Sequence, residues 1–363
     1  MTDSPLIYLI CGNGGVGKTT VSAALGLKFA QQNKKAIVLT IDPAKRLADS
    51  LGIKGLSDEP QKISFSKTKK NQGELWAMML DTKRTFDRLI EKYAPSAEAK
   101  QRIINNKLYQ HMSQMLAGTQ EYMAMERLYE IYKQNTFDVI IVDTPPMQNA
   151  VDFLAAPQKM MNMINNSMLH LLLKPTLSIG KSGFKLFERG SRQILKVFDR
   201  ITGFAFLQDL SEMAIAFKDL LSGFETRATQ VNQLLKREGT SFVIVCTTNQ
   251  NSINEVDSFY KQLKENKYDL SGIIANRVYH ANQHKLEINP EAEKQLNNLY
   301  SKQETEILIN NYKKYIPLIK RDKKQIKILN EIIGSDMTQT IPLYLTDVHD
   351  LKTLGVIAQE IDL

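Results

Sequence analysis

Short apolar runs bounded by turn residues recur along the chain: LIYLIC (6–11), AIVLTI (36–41), LWAMML (75–80), FDVIIVD (137–143), FVIVCT (242–247), GIIAN (272–276) and IPLY (341–344). Because they are apolar throughout instead of alternating, they predict strands of a mostly parallel sheet covered on both faces. The segments between them have helical spacing, so the expected fold is a doubly wound α/β domain. Two intervals, 82–136 and 150–241, are too long for simple crossovers and carry Leu, Met and Phe at helical periods. They read as one helical subdomain inserted into the sheet domain. Residues 285–335 look helical and Lys-rich, and an amphipathic helix is expected from about Asp350.

The chain has 363 residues, of which 43% are hydrophobic, as expected of a folded protein with a large core. Lys and Arg outnumber Asp and Glu by 47 to 39, a net charge of +8, which favours acidic surfaces or partners without bearing on fold. The two cysteines, Cys11 and Cys246, exclude a disulfide framework and any Cys-x-x-Cys motif built from this chain. No run approaches the ~18 apolar residues of a membrane span. The N-terminus also lacks Lys or Arg ahead of its short apolar run, so the expected location is cytoplasmic, with peripheral contact at a membrane compatible with the charge.

Residues 12–19, GNGGVGKT, match G-x-x-x-x-G-K-[ST], after an apolar strand and before a helical pattern. Gly12, Gly14, Gly15 and Gly17 let backbone amides form an anion nest, Lys18 would neutralise β/γ-phosphate oxygens, and the Thr19 hydroxyl would ligate Mg²⁺. With Asn13, Val16 and Thr20, these are the expected ATP contacts. Asp143 ends an apolar strand, the position for a Mg²⁺ carboxylate. Asp42, in TIDPAKRLADSLG, follows the second strand and would hold the attacking water, although it could instead cap the following helix.

Four motifs carry a resemblance: GNGGVGKTT, DPAKRLADSLG, DTPPMQNAVDFL (143–154) and ANRV (275–278). In this order and spacing they resemble the arsenite-transporting ATPase family, which includes the targeting factor for tail-anchored membrane proteins, and are more similar to its bacterial members. The resemblance covers residues 5–282 and 341–361. It implies a MinD-like P-loop ATPase domain over 1–363, its nucleotide-binding core being 5–81, 137–149, 242–282 and 336–363. It further implies a face-to-face dimer over two ATP molecules, Asp42 as catalytic carboxylate, Asn276 against adenine and Pro342 in a loop flanking the base.

The chain departs from the family pattern in four places. Asn13 stands where a Lys usually reaches the neighbouring subunit's phosphates, so the expected assembly is a homodimer or a heterodimer with a lysine-bearing homologue. Lys45 and Arg46 replace a His-Asn pair and could supply the missing charge. Asn249 replaces a Glu that would touch nucleotide across the dimer. Two cysteines cannot build a Zn-bridged dimer or a thiolate site for arsenite.

Methionines at 112, 115, 123, 125, 160, 161, 163 and 168 fit either a groove for a hydrophobic helix or a Met-filled core. Lys181, Lys185, Arg189, Arg192, Lys196 and Arg200 recur at helical spacing, as a solvated face or a contact with anionic lipid. The expected function is a Mg-ATP-dependent ATPase whose cycle switches binding of a hydrophobic client or membrane-associated partner. The alternatives are a surface-patterning or DNA-partitioning ATPase and a weakly hydrolysing subunit of a heterodimer. No aromatic-interleaved basic motif argues for nucleic acid.

Overall fold

The computed structural model describes residues 4–42, 44–65, 73–94, 96–106, 119–146, 155, 223, 226–279, 290–334, 337–344 and 348–363. Eight strands form one sheet in the order β3-β4-β2-β5-β1-β6-β7-β8. They are β1 (Leu6–Gly12), β2 (Lys35–Thr40), β3 (Gln61–Ile63), β4 (Glu74–Met79), β5 (Val139–Asp143), β6 (Thr240–Cys246), β7 (Asp269–Val278) and β8 (Thr338–Pro342). Every pairing is parallel except β3 with β4. All seven expected strands are present. The short edge strand β3 was not anticipated, because Gln61 and Lys62 are exposed and only Ile63 turns inward. The last strand begins and ends earlier than the apolar run 341–344, since its Thr-rich start pairs with β7 through backbone bonds that need no apolar side chain.

Two helical layers cover the sheet. On one face α1 (Lys18–Gln31) and α10 (Leu351–Glu360) pack with Ile10, Val38, Ile141, Val243 and Val245 of the strands. The opposite face, with Ile7, Leu9, Ile37, Leu39, Ile140 and Phe242, receives α3 (Thr82–Tyr93), α4 (Ala97–Asn105), α5 (Thr119–Gln134), α6 (226–236) and α7 (Gln250–Glu265). Strand residues thus alternate between two apolar layers, which is why the runs show no polar alternation. Met123 and Met125 are fully buried in this second layer, as core residues. The methionines at 112, 115, 160, 161, 163 and 168 and the basic positions from Lys181 to Arg200 lie outside the described residues.

The Lys-rich stretch forms α8 (Pro290–Leu299) and the long α9 (Lys302–Ile333), divided at Ser301 by a capping box with Glu304. Only the second half of α9 is seated firmly on the sheet layer, through Leu329 and Ile333. The short α2 (Arg46–Ser50) lies beyond the end of β2.

Candidate functional site

The phosphate loop joins β1 to α1 at the carboxyl edge of the sheet. Two glycines are required by contact. A Cβ on Gly12 would overlap the Val245 carbonyl of β6, and one on Gly17 would overlap the Asn276 amide nitrogen of β7. Gly17 is also the N-cap of α1 at φ 97°, a conformation that costs other L-residues about 1–2 kcal/mol. No side chain caps α1 and no acid lies in its first turn. Its first amides and the positive end of its dipole are thereby left for an anion.

Lys18 folds back over this loop, and its Nζ donates to the Asn13 carbonyl at 2.8 Å. Burial pulls its pKa down, while the Asp143 carboxylate works in the opposite direction. Asp143 itself is 1% exposed. Its Oδ2 accepts from Thr19 Oγ1 at 2.8 Å and Thr40 Oγ1 at 3.0 Å, whereas Oδ1 has no hydrogen-bond partner among the described residues. Burial pushes this carboxyl up to about 6, against the pull of the two hydroxyls and Lys18.

The sheet register explains the cluster, since Asp143 lies beside Ile10 on β1 and beside Thr40 on β2. Because Thr19 gives its proton to Asp143, its oxygen lone pairs remain available to a cation. A hydroxyl and a carboxylate with a spare oxygen are hard donors that fit Mg²⁺ and are poorly suited to a soft metal.

Asp42 begins the loop after β2. Its Oδ1 accepts from the Ala44 amide at 2.9 Å and its Oδ2 from Arg46 Nη1 at 3.0 Å. The N-cap of α2 is Lys45, with no side-chain cap bond. Asp42 therefore closes a turn ahead of the helix and does not cap it. Arg46 is engaged with Asp42. On the other side of this loop, Gln120 of α5 donates to the Ile41 carbonyl at 3.1 Å.

Asn249 caps α7, accepting from the Ser252 amide at 2.7 Å and donating to Thr247 Oγ1 at 2.7 Å. Asn276 is buried, and its amide donates to the Val16 carbonyl at 2.8 Å, tying β7 to the phosphate loop. Pro342 ends β8 opposite Val278, at the same edge. Thr20 is half-buried on the first turn of α1. A polar cavity of about 550 Å³ lies against the loop, lined by Asn13, Gly14, Gly15, Val16, Thr247, Asn249, Gln250, Asn251, Ser252, Glu255 and Arg277. Asn13 Oδ1 is buried there without a hydrogen-bond partner among the described residues.

Sequence reading did not single out Thr40 or Arg277. Thr40 stands two residues before Asp42 and carries the second hydroxyl on Asp143. Arg277 sits inside the quoted ANRV motif at φ 61°, where the β7–β8 register shifts between Ala275 and Val278. That bulge leaves its side chain exposed at the cavity while Ala275 and Val278 stay buried. The thiols of Cys11 and Cys246 are buried on adjacent strands, and burial pushes both up to about 12.

A parallel sheet whose first strand runs through a glycine loop into an uncapped helix, with a buried Asp beside the P-loop Thr, defines a P-loop nucleoside triphosphatase. The profile of the anion-transporting ATPase family matches residues 6–338, and the chain belongs to that family. It is an ATP hydrolase of this class. Relatives include an "ATPase GET3" of Malassezia globosa, 26% identical over 278 residues that cover 75% of this chain and 73% of the relative. An "ATPase ASNA1 homolog" of Babesia bovis is 26% identical over 74% of this chain and 64% of its own length. A "Putative arsenical pump-driving ATPase 1" of Aquifex aeolicus is 32% identical over 42% of this chain and 38% of its own length. Among the described residues, no helix is long and apolar enough to cross a membrane.

Proposed function

We propose that this protein is a Mg²⁺-dependent ATPase whose hydrolysis cycle switches the binding of a hydrophobic protein segment or a membrane-associated partner, with the cytoplasm as its working compartment. The observation that carries the reading is the convergence of Thr19, Thr40 and the unpartnered Oδ1 of Asp143 beneath the glycine loop. The uncapped first turn of α1 would receive the phosphates. Lys18 would exchange the Asn13 carbonyl for phosphate oxygens, a stronger partner for a partly buried ammonium. Thr19 and Asp143 would hold Mg²⁺, which when bound offsets charge on the phosphates. Asp42 would accept a hydrogen bond from the attacking water and orient it, with Arg46 fixing the carboxylate until then.

Coupling to a partner is supported by the Gln120 bond to Ile41, one residue from Asp42, and by α5 running directly into β5 and Asp143. A change at the phosphates can therefore be transmitted to the helical layer of α3, α4, α5 and α6. The resemblance to a family that includes the targeting factor for tail-anchored membrane proteins supports a hydrophobic client. Dimerisation across the face bearing Asn13 and Asn249 belongs to the same proposal, whether with a second copy or with a lysine-bearing homologue.

The test uses the full chain. Lys18→Ala should abolish Mg-ATP binding, whereas Asp42→Asn should retain binding and lose turnover by about 10²-fold or more. Wild-type affinity and rate in Lys18→Ala would refute the nucleotide site. Normal hydrolysis by Asp42→Asn would remove Asp42 from the mechanism.

A further inference from the structure

The long helix α9 lies outside every phosphate-contacting motif, yet it reaches the nucleotide edge through one carboxylate. Asp322 shares the buried side of α9 with Ile319, Leu329 and Ile333 and is 0% exposed. A carboxylate in such surroundings is tolerated only when donors surround it. Its Oδ1 accepts from Thr248 Oγ1 at 2.7 Å and from Arg321 Nε and Nη2 at 3.0 and 2.8 Å. Its Oδ2 accepts the backbone amide of Tyr279 at 2.9 Å.

These two anchors belong to two different loops. Thr248 lies between Thr247 and Asn249 after β6, and Tyr279 follows Asn276, Arg277 and Val278 at the end of β7. The β6–β7 ladder ends at the pair Cys246 and Ala275, so no sheet bond holds the loops together beyond that point. Asp322 bridges them there, one oxygen on each. Two further contacts from α9 reinforce the bridge: Gln325 donates to Gln250 at 3.2 Å, and the Tyr315 and Tyr279 rings meet at 5.8 Å. Thr247, Asn249, Gln250 and Arg277 all line the cavity against the phosphate loop, and Asn276 is bonded to that loop.

We propose that Asp322 is a positioning residue of the nucleotide site, setting the spacing of the 247–249 and 276–279 loops and so the width of the cavity between them. The proposal rests on the reading of the phosphate loop as the ATP site. Asp322 touches no reacting atom. Its effect passes through Thr248 and Tyr279 to Asn249, Asn276 and Arg277.

The experiment compares full-length Thr248→Val, Thr248→Ser, Asp322→Asn and Lys18→Ala with the wild type. Steady-state ATPase assays and melting curves with and without Mg-ATP are recorded for each. Thr248→Val keeps the side-chain size and removes one donor, so it remains informative should Asp322→Asn fold poorly. The expected result is a KM for ATP raised about tenfold in Thr248→Val and Asp322→Asn, with kcat changed by less than about threefold. The melting increment from Mg-ATP should shrink with it, and Thr248→Ser should restore both. If Thr248→Val and Asp322→Asn lower the melting temperature of the free protein but leave KM and the Mg-ATP increment at wild-type values, while Lys18→Ala is inactive, the proposal is overturned and the ATP site stands. If the wild type itself shows no Mg-ATP increment, both readings fall together.

Discussion

Replacing Gly17 by Ala tests the phosphate loop at the point where its backbone and β7 meet. Gly17 holds φ 97°, and the added methyl would occupy the place of the Asn276 amide nitrogen. The backbone change costs about 1–2 kcal/mol, partly offset by the smaller conformational freedom of unfolded Ala. Asn276 is short and buried, so it can move aside only by breaking its bond to the Val16 carbonyl. Leaving that carbonyl and the amide poorly paired costs about 1–3 kcal/mol. The expected loss in Gly17→Ala is therefore roughly 2–4 kcal/mol, seen in a chain of this length as a melting temperature lowered by about 3–5 °C with loss of the Mg-ATP increment. The decisive assay is a double-mutant cycle with Asn276→Ala, read by thermal or urea unfolding. With Asn276 already truncated the clash vanishes, and Gly17→Ala should cost only its backbone share. A coupling of at least about 1 kcal/mol is expected. Strictly additive losses would show that the two residues do not meet, and the account of this loop would be wrong.

Arg227→Met should expose the buried pair between α5 and α6, where Arg227 Nε lies 2.7 Å from Glu126 Oε1 with Glu126 fully buried. Burial raises the Glu126 carboxyl to about 7, opposed chiefly by Arg227, so the folded state holds that proton more tightly than the unfolded chain. Stability from this group is full below the ordinary carboxylate range and lost as pH rises through about 7. Removing the counter-charge should thus cost roughly 3–5 kcal/mol near pH 8 and clearly less near pH 5.5, and an equal loss at both would rule out the charged pair. Asn13→Lys should raise ATP turnover of the isolated chain by about tenfold, because a cation would then face the phosphate region of the proposed dimer. An unchanged rate, joined with collapse in Lys45→Ala or Arg46→Ala, would show that the chain supplies its own charge.

What could be read directly from the sequence was whatever depends on neighbours along the chain. Unbroken apolar runs announced seven strands buried on both faces, and the spacing of four glycines, Lys18 and Thr19 announced an anion-binding turn between a strand and a helix. Asp143 was legible because an apolar strand ending in a carboxylate gains meaning beside such a loop. The polar edge strand β3 was not, since a half-exposed three-residue strand carries no apolar signature.

Tertiary structure decided everything that depends on residues brought together from afar. Sheet order puts Thr40 and Thr19 on the same oxygen of Asp143. It also commits Asn276 to the Val16 carbonyl, a bond between positions 260 residues apart. Asp322 looks like one more charge in a Lys-rich helix until α9 is seated and turns it inward onto Thr248 and Tyr279. The physical reason is that periodicity and turn chemistry are local, whereas the partner of a buried polar group is chosen by packing. A sequence records that a carboxylate must be satisfied somewhere, and only the fold says by which donors.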